Sequence, residues 1–168
     1  MIYMVEMALI DLSRRVEWDA WYLSHMKMLI SIPGIRATQR FESLTPHASP
    51  FVALHQVTGP DVFTSDAYRA KAGPGGTGVW KDRMNNWHRN VLSGIDQTPE
   101  VPMGGALLVV EHGANVPLPV QWTEPVGLDR SIVRRGFAVV SRRAEAEPLA
   151  RLPGVRVCLP LTPRLVAA

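Results

Sequence analysis

The sequence predicts an α+β protein in which two helices cover one face of an antiparallel sheet, in the order β-α-β-β-α-β. Three observations lead there. Residues 2–10 (IYMVEMALI) are an apolar run with a single charge, as a strand buried on at least one face requires. Trp18, Trp21, Tyr22, Met26, Leu29 and Ile32 then recur three and four residues apart up to Pro33-Gly34, the spacing and the stop of an amphipathic helix. Two further strand-like runs, IRATQRF and FVALHQVT, flank the polar loop SLTPHASP and read as a hairpin.

The remaining elements follow in order. Ser13 stands where a helix N-cap is wanted, ahead of the Trp18 stripe. Gly59-Pro60-Asp61 opens a second helical stretch through Tyr68 and Lys71, since proline is tolerated in a first turn and aspartate suits its positive end. The run AGPGGTG interrupts it. A helical piece from Val79 to Ser93 is expected next, with Trp80, Met84, Trp87 and Val91 on one face and Gly94 as its stop. GALLVVEHG supplies the fourth strand. Helices on one face leave the other face of such a sheet bare, and pairing two sheets about a two-fold axis covers it, so a homodimer is expected.

Beyond residue 115 the chain changes character. A proline-rich stretch leads to IVRRGFAVVSRR, AEAEPLARLPG and VRVCLPLTPR. Ser141-Arg142-Arg143 and Leu152-Pro153-Gly154-Val155-Arg156 echo Ser13-Arg14-Arg15 and Ile32-Pro33-Gly34-Ile35-Arg36. The expected organisation is a domain over 1–115 and an extension over 116–168, a degenerate β-α-β half-repeat on the same sheet with a shorter helix.

Composition narrows the function classes. The chain has 168 residues, 46% hydrophobic and 20% charged, an ordinary globular balance. Residues 130–168 carry eight arginines against Glu145 and Glu147, a net +6, while residues 1–129 hold ten Lys and Arg against thirteen Asp and Glu, a net −3. Those arginines alternate with Val, Leu and Pro and lack aromatic stacking partners, which argues against nucleic acid. No stretch is long and apolar enough for a membrane span, and Glu6 and Asp11 spoil the opening residues as a signal peptide. Cys158 is the sole cysteine, so an internal disulfide and a zinc-thiolate site are excluded and a reducing cytoplasm is the expected compartment.

The run WDAWYLSHMKMLISIPGIRATQRF, with Trp21-Tyr22, His25 one turn on and the Ile32-Pro33-Gly34 stop, resembles the first helix and second strand of the dimeric α/β-barrel superfamily of ferredoxin-like proteins. Its EthD-like, muconolactone-isomerase-like and antibiotic-biosynthesis-monooxygenase-like branches come nearest, over about residues 1–112. The resemblance implies a ferredoxin-like fold, a dimeric barrel and a pocket lined by a helix histidine. Met26-Lys27 departs from the family pattern, in which His-Pro or a similar pair often follows that histidine.

Several residues could carry chemistry. His25 falls on the apolar face of its helix, where desolvation keeps an imidazole neutral and fit to act as a general base. His88, beside Trp80 and Trp87, and His55 in the third strand are further acid–base candidates. Trp21, Tyr22, Trp80 and Trp87 could wall an aromatic pocket. Glu6 and His55 are expected to share the sheet face away from the helices, or Glu6 to pair with Arg40, whose planar fork could instead hold a substrate carboxylate. AGPGGTG lacks the Lys-Ser/Thr of a phosphate loop and reads as a lid. No metal-binding pattern is present in the sequence, and no cofactor is expected. The expectation is a cofactor-independent isomerase, cyclase or lyase of small aromatic or apolar metabolites with His25 as base. Its rivals are a monooxygenase or haem-handling protein of the same fold, and a non-catalytic binding or accessory protein.

Overall fold

In the computed structural model, which describes residues 1–73 and 76–168, one antiparallel sheet closes on itself as an eight-stranded barrel with helices on its outside. Pro74 and Gly75, the heart of the expected glycine-rich lid, lie outside the described residues. The first strands and helices are β1 (Ile2–Leu9), α1 (Arg15–Leu29), β2 (Ile35–Ser43), β3 (Phe51–Val57), α2 (Asp66–Ala72) and β4 (Met84–Ser93). They are followed by β5 (Ala106–Glu111), β6 (Gln121–Leu128), β7 (Arg135–Val140), α3 (Arg143–Ala146), β8 (Val155–Pro160) and the short β9 (Leu165–Val166).

Around the barrel the strands run β2-β3-β1-β4-β6-β7-β5-β8, and β8 returns to β2. β9 occupies the rest of that edge of β2, opposite Ala37 and Thr38. Strands from the two ends of the chain meet twice, at β4–β6 and at β2–β8. The sheet face expected to need a second chain is thus covered by strands of the same chain.

Strand alternation sorts the apolar residues into layers. Ile2 and Met4 point inward with Phe41, Leu54, Leu92, Leu107 and Phe137, and these fill the barrel. Tyr3, Val5, Met7 and Leu9 point outward beneath Trp18, Tyr22, Met26 and Leu29 of α1. A smaller cluster with Leu108, Val110, Ala138 and Val157 lies under Ala146 of α3. Each fully buried side chain of this size contributes about 1.5–3 kcal/mol.

The ends of α1 are set locally. Asp11, rather than Ser13, caps the opening turn, accepting from the Ser13 backbone N–H at 3.0 Å and its hydroxyl at 2.7 Å. At the other end Gly34 adopts φ +94°, and a Cβ there would lie 2.5 Å from Val62 Cγ2. Gly154 repeats the device at φ +70° before β8, so the echoed Pro-Gly turn marks the start of a strand in both places.

Two expectations fail. Residues 79–93 are not a helix: only Gly78–Arg83 coil, as a 3-10 turn, and Met84–Ser93 is β4, paired with β1 and β6. The misleading spacing has a physical origin. β4 is bulged where it passes Met7, with Asn86 at φ +47°, so Met84 and Trp87 face the same side three residues apart. Ordinary alternation then brings Val91 to that side four residues later. The second correction concerns GALLVVEHG, which is β5 and pairs with β7 and β8, leaving β4 as the neighbour of β1. β6 was not foreseen, because Pro125 and Gly127 break up its pattern; Pro125 is accommodated beside the irregularity in its pairing with β4.

Candidate functional site

Histidine and tyrosine side chains converge between α1 and the outer face of the barrel. His25 projects from α1 one turn beyond Trp21, and the two rings stack at 5.0 Å with 20° between their planes. Tyr22 meets the imidazole edge-on at 5.9 Å. From the sheet side, His55 of β3 stands in register with Tyr3 of β1, their rings stacked at 5.2 Å. Its Nδ1 lies 2.8 Å from Thr38 Oγ1 of β2. Tyr68 of α2 and Trp87 of β4 complete the enclosure of a cavity of about 30 Å³.

Burial dominates the electrostatics here. It pushes His25 down to about 4, and together with the nearby His25 it pushes His55 down to about 3, so both imidazoles are neutral near pH 7. The same burial raises Tyr22 to about 12 and lifts Tyr3 and Tyr68 above the usual phenol range. The site therefore offers neutral imidazole nitrogens that can accept a proton and phenolic hydroxyls that can donate hydrogen bonds, in aromatic surroundings. In this state the cavity has room for about one water, so a metabolite enters only if half-buried side chains such as Trp87 swing aside.

The other expected residues separate. Trp80 is buried, backs Trp21 at 6.0 Å, carries the guanidinium groups of Arg14 and Arg83 over its ring at 5.3 and 5.6 Å, and does not line the cavity. Trp87 and His88, expected on one helix, are neighbours on a strand and point to opposite faces; His88 lines a different cavity. Arg40 is sealed from substrate, stacked over Trp18 at 4.1 Å and Tyr22 at 4.3 Å with Nη1 donating to Asp19 at 2.7 Å. Glu6 faces inward while His55 faces outward, so the pair expected on one face is divided by the sheet. The carboxylate of Glu6 is bound by Arg156 and lies 3.9 Å from Arg135, and Arg40 is not its partner.

Glu6 belongs to a larger cavity of about 440 Å³ at one end of the barrel, shared with His47, His88, Arg135 and Arg156. The barrel interior is plugged elsewhere by Val101, held by Gln39, whose amide donates to Val101 O at 2.7 Å and Thr162 O at 3.1 Å. Tyr3, Tyr68, His47, Arg135 and Arg156 went unnoticed as site residues. Tyr3 had a visible signal, an outward position alternating with Met4 in the first strand. Arg135 and Arg156 are brought in by long-range strand pairing, His47 by the loop between β2 and β3, and Tyr68 by α2. Among the described residues no cluster of three or more metal-binding side chains is present, and no helix is long and apolar enough to cross a membrane.

The chain thus forms a closed antiparallel barrel with helices outside and a histidine-bearing pocket beneath the longest of them. No family model matches the chain, and no curated protein matches it in sequence. Among solved structures, that of a candidate monooxygenase from Lactobacillus acidophilus NCFM is similar, with a TM-score of 0.62 over 99% of this chain and 96% of that one at 8% identity. The likeness extends over nearly the whole of both chains, and at this identity it establishes the fold alone.

Proposed function

We propose that this chain is a one-chain form of the dimeric α/β barrel, with ferredoxin-like halves over 1–105 and 106–168. In this reading it is an enzyme that acts by proton transfer on a small aromatic or apolar metabolite beneath α1. The observation that carries the proposal is the meeting of two neutral imidazoles, His25 and His55, with buried phenols in one aromatic cavity. His25 takes a proton from a carbon acid or phenol, and the imidazolium so formed is stabilised by the substrate anion beside it. Tyr3 and Tyr68 hydroxyls hydrogen-bond the developing oxyanion, Thr38 orients His55, and Trp21, Tyr22 and Trp87 clasp the ring. The outcome is isomerisation, cyclisation or elimination, and no resident cofactor is assigned.

A second reading is favoured by the description of the structural neighbour as a candidate monooxygenase. The same deprotonation would yield an electron-rich anion that reacts with dioxygen as co-substrate, one oxygen atom entering the product and the other leaving as water with two hydrogens lost by the substrate, which is itself the reductant. Incubation with aromatic acids, lactones and phenols, with and without air, read by chromatographic retention together with mass so that isomers are resolved, separates the two. Proton transfer alone works without air, whereas oxygenation requires it and adds oxygen to the product. Ligand recovered unchanged after a rise in melting temperature indicates a binding protein. A folded His25→Ala variant that retains full turnover overturns His25 as base.

A further inference from the structure

We propose that the open end of the barrel is a second ligand site, one that takes a small organic carboxylate on the guanidinium of Arg135. Glu6, Arg135 and Arg156 meet there, with side chains 6%, 10% and 9% exposed, so the three buried charges sum to one excess positive, and the further carboxylate near them is that of the exposed Glu111. Arg156 is engaged through both Nη atoms: it binds Glu6, donates to Ser49 O at 3.1 Å and lies 3.0 Å from His47 Nδ1. His47 Nδ1 also lies 3.0 Å from the Ser49 backbone nitrogen and 3.1 Å from its carbonyl oxygen.

Arg135 is different. Its nearest carboxylate oxygens are 3.9 Å away on Glu6 and 3.7 Å away on Glu111, both beyond hydrogen-bond length, and its buried Nε has no partner. Among the described residues its side chain donates no hydrogen bond at all. A buried Nε–H without a partner is costly, and burial works against the charge of the guanidinium while Glu6 and Glu111 offset only part of that. The fork geometry of guanidinium matches a carboxylate, which would accept two parallel hydrogen bonds from it. The cavity of about 440 Å³ falls within the usual range of small-molecule sites. Val109, Ile132, Val155 and Pro46 among its walls suit an apolar body behind the carboxylate.

The site is distinct from the cavity beneath α1, since Glu6 and His88 face the opposite side of the sheet from His55 and Trp87. The test is calorimetric titration of the full chain with benzoate and hexanoate, with chloride and inorganic phosphate as controls. Saturable binding of either organic acid is expected, weakened about tenfold or more in Arg135→Met. Ala48→Trp, an exposed position on the cavity wall, is expected to weaken it by obstruction without touching the buried charges, and serves if Arg135→Met fails to fold. His25→Ala is expected to leave it unchanged. The proposal is overturned if neither acid binds at millimolar concentration or only the inorganic anions bind. It is equally overturned if Ala48→Trp and any folded Arg135→Met protein bind as the parent does, or if His25→Ala abolishes binding.

Discussion

Thr38 Oγ1 and His55 Nδ1 stand 2.8 Å apart in the buried seam between β2 and β3, which fixes the imidazole against Tyr3 and beneath His25. That contact keeps an uncharged ring where a charged one would have no counter-ion, and it links the candidate site to stability.

Stability is expected to fall on acidification. His25 and His55 titrate near their ordinary value of 6.5 when unfolded but near 4 and 3 when folded, so below about pH 6.5 the unfolded chain binds more protons. The loss should begin near pH 6.5 and be complete near pH 3. Urea midpoints measured across that range would show it, and His25→Phe, which keeps a ring against Trp21, should flatten the slope. Carbon-detected imidazole titrations that place both groups near 6.5 would refute the assignment.

Asp19→Ala should destabilise the protein by about 2 kcal/mol or more, because it leaves the buried Arg40 cation without its carboxylate partner. Asp19 also receives Arg15 Nε at 2.7 Å, so two cations lose a ligand at once. Arg40→Met, which removes the charge but keeps much of the bulk against Trp18, should cost less. Equal losses in the two variants, measured by urea unfolding, would deny the ion pair this role.

Gly34→Ala should be strongly destabilising, by about 1–3 kcal/mol, since the left-handed backbone and a 2.5 Å approach to Val62 act together. Thermal melts of Gly34→Ala beside Gly59→Ala, where a new Cβ meets nothing within 4 Å, make the comparison.

A closed barrel within one chain predicts sedimentation as an 18.6 kDa monomer. A chain ending at residue 105 would expose Met4, Leu54 and Leu92 from the barrel interior and should self-associate. A dimeric full chain would show that some other surface is sticky.

The first three strands, α1 and its glycine stop were legible because their signals are local: an apolar run, a stripe at helical spacing and a left-handed glycine. β4 was not, because the bulge at Asn86 lets a strand imitate the three-then-four spacing of a helix. His25 and its aromatic neighbours could be read from the turn of one helix. Which strand residues joined them could not, since His55 and Glu6 differ only in which way they point. Arg135 and Arg156 reach Glu6 from strands more than a hundred residues away in sequence, and no local pattern marks such a meeting.

The charged end of the barrel has a consequence for symmetry. A barrel assembled from two identical chains must present every side chain twice, and a carboxylate in one half requires the same carboxylate in the other. Here the half that supplies Glu6 and the half that supplies Arg135 and Arg156 are different sequences joined in one chain. Acid and base can therefore be assigned to opposite walls, and among the described residues the cavity under α1 is built by one half of the barrel alone.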